Sequence, residues 1–153
     1  MSFRWPRAKD IVYRCPSAAC EASCDTDAVL TFQEAIASGA DLPVHALLPE
    51  FSQAFTPGSV SIVSASAGSG KTTLIPLACA DLIASGERVI VCSPRRMSAR
   101  SCARRLANLL KDRLGNLVGF SVRGQSQRSG ETRIEFVTPG VLARMIHSDP
   151  GLD

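Results

Sequence analysis

The sequence predicts an α/β protein, a parallel β-sheet with flanking helices. Two observations carry this. From residue 59 onward, short β-branched runs alternate with helix-length amphipathic stretches, and the runs are nearly unbroken in apolar character, as strands covered on both faces must be. Of 153 residues, 45% are hydrophobic but only 5% aromatic, so aliphatic side chains must fill the core. That length supports one domain at most.

Residues 1–27 mix polar and apolar positions without a period, and they are read as an unassigned leader whose composition is compatible with disorder. Residues 28–58 form a helical lead-in. Their pattern fits a short helix ending near Ser38 and Gly39, a break at Pro43, a second helix over residues 44–55, and a turn at Thr56, Pro57 and Gly58. Residues 59–153 are the alternating part. Val60, Ser61, Ile62 and Val63 predict the first strand, followed by a glycine-rich turn and a helix over residues 71–84 that Ser85 and Gly86 stop. A second strand is expected at residues 88–92, a helix over 98–111, a third strand near 117–122 and a fourth at 133–137. Thr138 then caps a last helix, with Pro139 at its first position. No internal repeat or low-complexity tract is present.

The net charge of +3 conceals an asymmetry. Residues 1–58 carry 4 basic and 7 acidic side chains, whereas residues 59–153 carry 13 and 7. The basic excess belongs to the glycine-rich part and is mostly arginine, suited to bidentate contact with phosphate, although a solvated surface gives the same sum. No apolar run approaches the ~18 residues that span a bilayer, which argues against a membrane partner. The amino-terminal residues lack the apolar core of a secretory leader, so a reducing, cytoplasmic setting is expected. Cys15, Cys20 and Cys24 have poor zinc spacing and no nearby histidine. Cys79, Cys92 and Cys102 are expected as small buried side chains. His45 and His147 have no carboxylate or metal partner in view and are read as ordinary surface or core histidines.

The stretch "SASAGSGKTTLIP" at residues 64–76 carries the clearest chemistry. Glycines let the chain curl so that successive backbone N–H groups converge, and the helix that follows adds its positive end at the same point. Polyphosphate is the natural occupant. Ala65, Ser66, Ala67, Gly68 and Ser69 form the loop; Gly70, Lys71, Thr72 and Thr73 lead into the helix. Lys71 would reach the β/γ-phosphates, and the Thr72 hydroxyl would take one coordination position on Mg²⁺. The formal pattern wants glycine at 65, but an alanine serves there if its φ is negative, because the phosphate ligands lie further along. Pro76 removes an N–H inside the helix and should bend it.

Residues 64–76, "SPRRMSAR" at 93–100, "VGFSVR" at 118–123 and "TRIEFVTPGVLARMI" at 132–146 resemble, in order and spacing, the first half of the first RecA-like lobe of DEAH-box helicases. The resemblance is strongest to the bacterial HrpB-type ATP-dependent helicases, in which "LPVHALLPEF" at 42–51 also looks like the usual lead-in. It covers roughly residues 40–153. The pattern tolerates alanine at 65 and carries proline at 76; Ala67 departs from it, where threonine is usual. The resemblance implies an incomplete P-loop NTPase (RecA-like) fold, ATP and Mg²⁺ as cofactors, and single-stranded RNA or DNA as partner. It also implies that Pro94, Arg95 and Arg96 contact the sugar–phosphate backbone, and that Thr138 and Gly140, at a helix amino terminus, do so as well. Arg123 and Arg128 are weaker candidates. The helix after Arg96 separates into an apolar face of Ala99, Cys102, Ala103, Leu106 and Leu109 or Leu110, with Arg100, Arg104 and Lys111 pointing elsewhere.

Helicase chemistry also needs an acidic pair, one carboxylate for Mg²⁺ and one to orient the attacking water. The family places it in an Asp-Glu-x-His box that does not occur in residues 1–153, and Asp149 and Asp153, in a proline–glycine turn, are no substitute. Hydrolysis by these residues alone is therefore not expected. Two other readings stay open: a non-enzymatic nucleotide- or nucleic-acid-binding fragment, and, less well supported, a small P-loop kinase.

Overall fold

A computed structural model describes residues 29–56 and 59–150. The expectations for residues 1–27, including Cys15, Cys20 and Cys24, lie outside the described residues. The element order is α1 (Phe32–Ser38), a 3-10 helix (Pro43–Leu47), α2 (Leu48–Ala54), α3 (Lys71–Leu82), β1 (Val89–Cys92), α4 (Arg96–Leu109), β2 (Val118–Val122), β3 (Gln125–Gln127), β4 (Ile134–Val137) and α5 (Pro139–Ser148).

The strands form one sheet in the order β1-β4-β2-β3. β4 pairs in parallel with β1 on one side and β2 on the other, and all four of its residues are buried. The register places Val89, Ile134 and Val118 in one row and Val91, Phe136 and Phe120 in the next. Because side chains alternate across a sheet, both rows face the same side. There they meet α3 and α4, whose buried Leu74, Leu77, Ala99, Ala103 and Leu106 complete an aliphatic core with two phenylalanines. The predicted face of α4 is the buried one, with Ala107 added to it. Arg100 is an exception to the predicted polar side, since its guanidinium lies 5.9 Å from the centre of the Phe120 ring.

The opposite side of the sheet carries Gly119, Glu135 and Ser121. Only glycine fits at 119, because a Cβ there would lie 2.7 Å from the carbonyl oxygen of Gln127. The chain around residues 127–132 thus lies close over that face. Glu135 is fully buried; it accepts a hydrogen bond from Ser121 Oγ at 2.5 Å and has Arg128 at 3.6 Å and Arg88 at 3.8 Å. A buried carboxylate of this kind is tolerable only with such partners. The sequence reading missed β3, a short hairpin return joined to β2 by Arg123 and Gly124, with Gly124 at φ +82°.

The lead-in packs on α3. Thr31 and Glu34 form a reciprocal capping box at the start of α1, and the two Thr31 hydrogen bonds hold the Glu34 carboxyl below the usual range. Arg133, just before β4, donates to the carbonyl oxygens of Ala80, Ala84 and Glu87, so a cation from 46–53 residues away serves the carboxyl end of α3. α3 runs through Pro76 to Leu82.

Three expectations are corrected. Residues 60–63 do not form a strand: Val60 and Ile62 are 93% and 92% exposed, and no ladder bond reaches them. β propensity needs a neighbouring strand to become structure, and none runs beside this segment among the described residues. Cys92 is exposed, not buried, because it ends β1, an edge strand. Cys79 and Cys102 are half-buried, and burial pushes the Cys79 thiol up. Finally, Thr138 occupies the cap position of α5, but its side chain makes no capping hydrogen bond.

These contrasts predict opposite mutational costs for two isoleucines of equal β propensity. Ile134→Ala should lower unfolding free energy by about 2–5 kcal/mol in denaturant titrations. Ile62→Ala should stay within about 0.5 kcal/mol of the parent. A large cost at Ile62 would show that residues 60–63 are covered in solution.

Candidate nucleotide and nucleic-acid site

Three separated stretches converge on the carboxyl edge of the sheet. α3 starts at Lys71 and ends near Arg133, which lies at the amino-terminal end of β4, so the loop before Lys71 belongs to the opposite edge. Pro94, Arg95 and Arg96 follow β1, and Thr138 and Gly140 follow β4. These strands are neighbours with Cys92 opposite Val137, and Ser93 N–H donates to the Val137 carbonyl at 2.8 Å, so the two stretches leave the sheet side by side. The carboxyl edge of a parallel sheet is where ligands of such folds collect.

The loop has the backbone that its glycines allow. Gly68 and Gly70 have φ of +77° and +93°, and Gly70 is the cap position of α3. A side chain would be strained at either position. Ala65 does not have positive φ, so the condition for alanine there is met. The amides of Gly68, Gly70, Lys71 and Thr72 make no backbone hydrogen bond among the described residues. Four donors at a helix amino terminus are what an anion needs.

Lys71 turns back onto the loop. Its Nζ donates to the carbonyl oxygens of Ala65 at 2.5 Å and Ser66 at 2.7 Å and lies 3.3 Å from Ser69 Oγ. The ammonium is thus held inside the turn by ligands that phosphate oxygens could replace. Thr72 follows as an exposed residue in the first turn of α3. Its hydroxyl is a single oxygen donor, and no group of three or more His, Cys, Asp or Glu side chains able to hold a metal occurs among the described residues. That donor set fits a Mg²⁺ held mostly by phosphate and water, and no protein cage. Ala67 is exposed at the loop tip, and Thr73 N–H bonds to Gly70 O inside the first turn.

The candidate nucleic-acid residues differ among themselves. Arg95 and Arg96 are exposed, and their guanidinium groups take part in no ion pair or hydrogen bond among the described residues. Arg128 instead faces Glu135, which accounts for its charge within the fold. Arg123 is exposed in the β2–β3 turn. Gly140 lies in the first turn of α5, and a Cβ there would meet nothing within 4 Å. His45 is half-buried against the lead-in helices and His147 is exposed on α5, with no metal cluster at either. Sequence reasoning missed Leu42 and Val44, which touch the loop: Val44 N–H donates to Ser69 O at 3.0 Å, and Leu42 lies against Gly70. The only available signal was the quoted "LPVHALLPEF" stretch, which carries no mechanism by itself.

A parallel α/β sheet with a glycine loop running into a helix at its carboxyl edge is the architecture of a P-loop NTPase. The DEAD/DEAH box helicase family matches residues 49–152. The chain is 42% identical over 111 residues to the ATP-dependent RNA helicase HrpB of Escherichia coli strain K12, covering 72% of this chain and 14% of that protein. It is 38% identical over 109 residues to an ATP-dependent RNA helicase HrpA homolog of Haemophilus influenzae, covering 71% and 8%. A crystal structure of the E. coli DEAH/RHA helicase HrpB superimposes with a TM-score of 0.67 at 42% identity, over 73% of this chain and 14% of that one. The chain belongs to the DEAD/DEAH box helicase family, and it spans a small part of the length of the relatives it matches.

If the loop holds phosphate, Lys71→Ala removes a charged hydrogen-bond donor without touching the core. Its affinity for ADP, measured by calorimetry, should fall roughly 10- to 150-fold, the range for hydrogen bonds to charged groups. Unchanged affinity would place the nucleotide elsewhere.

Proposed function

We propose that this chain is a nucleotide- and nucleic-acid-binding part of an ATP-dependent helicase. In this reading ATP binds at residues 65–73, and the backbone of single-stranded RNA or DNA crosses Pro94, Arg95, Arg96, Thr138 and Gly140. The observation that carries the reading is the loop itself: unpaired amides leading into the first turn of α3, with the Lys71 ammonium resting on replaceable carbonyl ligands. Bound phosphate would accept those N–H groups, and Lys71 would exchange the Ala65 and Ser66 carbonyls for phosphate oxygens. The Thr72 hydroxyl would contribute one ligand to Mg²⁺, which supplies charge neutralisation when bound. The names of the relatives favour RNA as the strand.

On the nucleic-acid side, Arg95 and Arg96 carry unpaired charge on the edge next to the amino terminus of α5. Phosphates placed there would meet two guanidinium groups and the free N–H groups of a helix start. Such contacts fix position on a strand and carry no sequence information. The absence of a catalytic carboxylate pair in residues 1–153 favours, for these residues alone, binding without turnover.

Two measurements check this. The 153-residue chain should bind ATP yet show negligible hydrolysis; substantial turnover that disappears in Lys71→Ala would sink the idea that an acidic box is required. For single-stranded RNA, neutralising three phosphates at about −0.7 per contact implies roughly twentyfold weaker binding at 200 mM than at 50 mM salt. A flat salt dependence would assign the basic excess to solvated surface.

A further inference from the structure

The phosphate loop is not self-supporting. Its outer side rests on the turn before the 3-10 helix and on the start of that helix, a segment 25 or more residues earlier in the chain. Three contacts join them: Val44 N–H donates to Ser69 O at 3.0 Å, Leu42 packs on Gly70, and Gly39 packs on Leu74. The fit is tight, since a Cβ at Gly70 would lie 2.8 Å from Leu42 Cδ1 and 3.0 Å from its Cβ, and one at Gly39 would lie 2.7 Å from Leu74 Cδ2. Ser69 and Val44 are almost wholly buried at the contact.

The chemistry of this contact follows from where the donor comes from. Pro43 opens the 3-10 helix and has no N–H, and Val44 comes next, where a helix has no internal acceptor to offer. The first donor of that helix is therefore available, and it is spent on Ser69 O. A trans peptide is planar, with its C=O and N–H pointing in opposite directions. Turning the Ser69 carbonyl outward to Val44 obliges the Gly70 N–H to point the other way, away from the brace. A flip of that peptide would reverse this N–H, and Leu42 packs directly against Gly70, one of its two residues.

We propose that residues 42–44 are a positioning brace that sets the Ser69–Gly70 peptide for phosphate binding, with Leu42 as the side chain that holds it. The proposal rests on the ATP reading of the loop given above. Leu42 touches no phosphate; it acts through Gly70. Because the brace lies in the lead-in and not in the sheet, a displacement of the lead-in would be felt as a loss of phosphate affinity.

The test uses the full 153-residue chain with two probes, ADP and inorganic tripolyphosphate, the latter reporting the loop without base or sugar. Leu42→Ala should weaken both by about fivefold or more, the scale of one hydrogen bond partly lost. Leu42→Met, which refills the volume, should restore both. Leu48→Ala removes a buried leucine of the same lead-in that is not in contact with the loop glycines, so it should lower the melting temperature at least as much as Leu42→Ala while leaving both affinities at the parent value. Parent-like affinities in Leu42→Ala would overturn the brace, as would equal losses in Leu42→Ala and Leu48→Ala, which would mean stability alone is read. Lys71→Ala separates the two levels: if it binds both probes as well as the parent, the ATP reading of the loop fails and the brace fails with it. If Lys71→Ala is weak and Leu42→Ala is not, only the brace fails.

Discussion

The parallel pairing of β4 on both of its sides is the constraint on which the rest of the molecule depends. Among the described residues, Ile134, Glu135, Phe136 and Val137 are the only strand residues that have a parallel neighbour to the left and to the right. Their register stacks Phe136 between Val91 and Phe120 on the core side and sets Glu135 beside Gly119 on the other. It also fixes neighbouring chain at both ends. At the amino end Arg133 ties the carboxyl terminus of α3 to the sheet; at the carboxyl end the Ser93–Val137 bond brings the arginines after β1 next to the start of α5.

The loop before α3 answers to a different physics. It is held by backbone geometry and polar contacts, with little apolar area of its own. Two glycines with positive φ turn successive amides one way, and the helix dipole favours negative charge at the same point. The Lys71 ammonium is retained by carbonyls at 2.5 and 2.7 Å, which keeps a cation in place without burying an unpaired charge. Apolar support comes from outside, through Leu42 against Gly70.

Much of this was readable in the chain. The helices from 71 and 96, the strands at 118 and 134 and the start of the last helix follow from period, Gly and Pro signals, and they occur within two residues of expectation. The loop residues follow from glycine spacing before a lysine and a threonine. What was misread has particular causes. Residues 60–63 have the side chains of a strand, but a strand exists only with a partner, and partner availability is not a local property. Cys92 has the pattern of a buried residue and an edge position that exposes it. β3 is too short and polar, as Gln-Ser-Gln, to stand out, and it forms because Ser126 faces Ser121 across the hairpin at 2.8 Å. Arg100 was expected on the polar side of its helix and Arg128 as a weaker nucleic-acid contact, and each has an intramolecular partner.

The sequence by itself determined the elements whose physics is local: where φ must be positive, where a helix can begin, which face of α4 is apolar, and which residues could serve phosphate. Only the tertiary structure decided what depends on distant segments meeting. It ordered the strands so that residues 94–96 and 138–140 adjoin. It gave Glu135 its serine and arginine neighbours, put Arg133 under α3, and set Val44 and Leu42 against the loop. The reason is that dihedral and periodicity preferences are encoded within a few residues, while burial and hydrogen-bond partnership across 25 to 50 residues exist only once the chain has closed on itself.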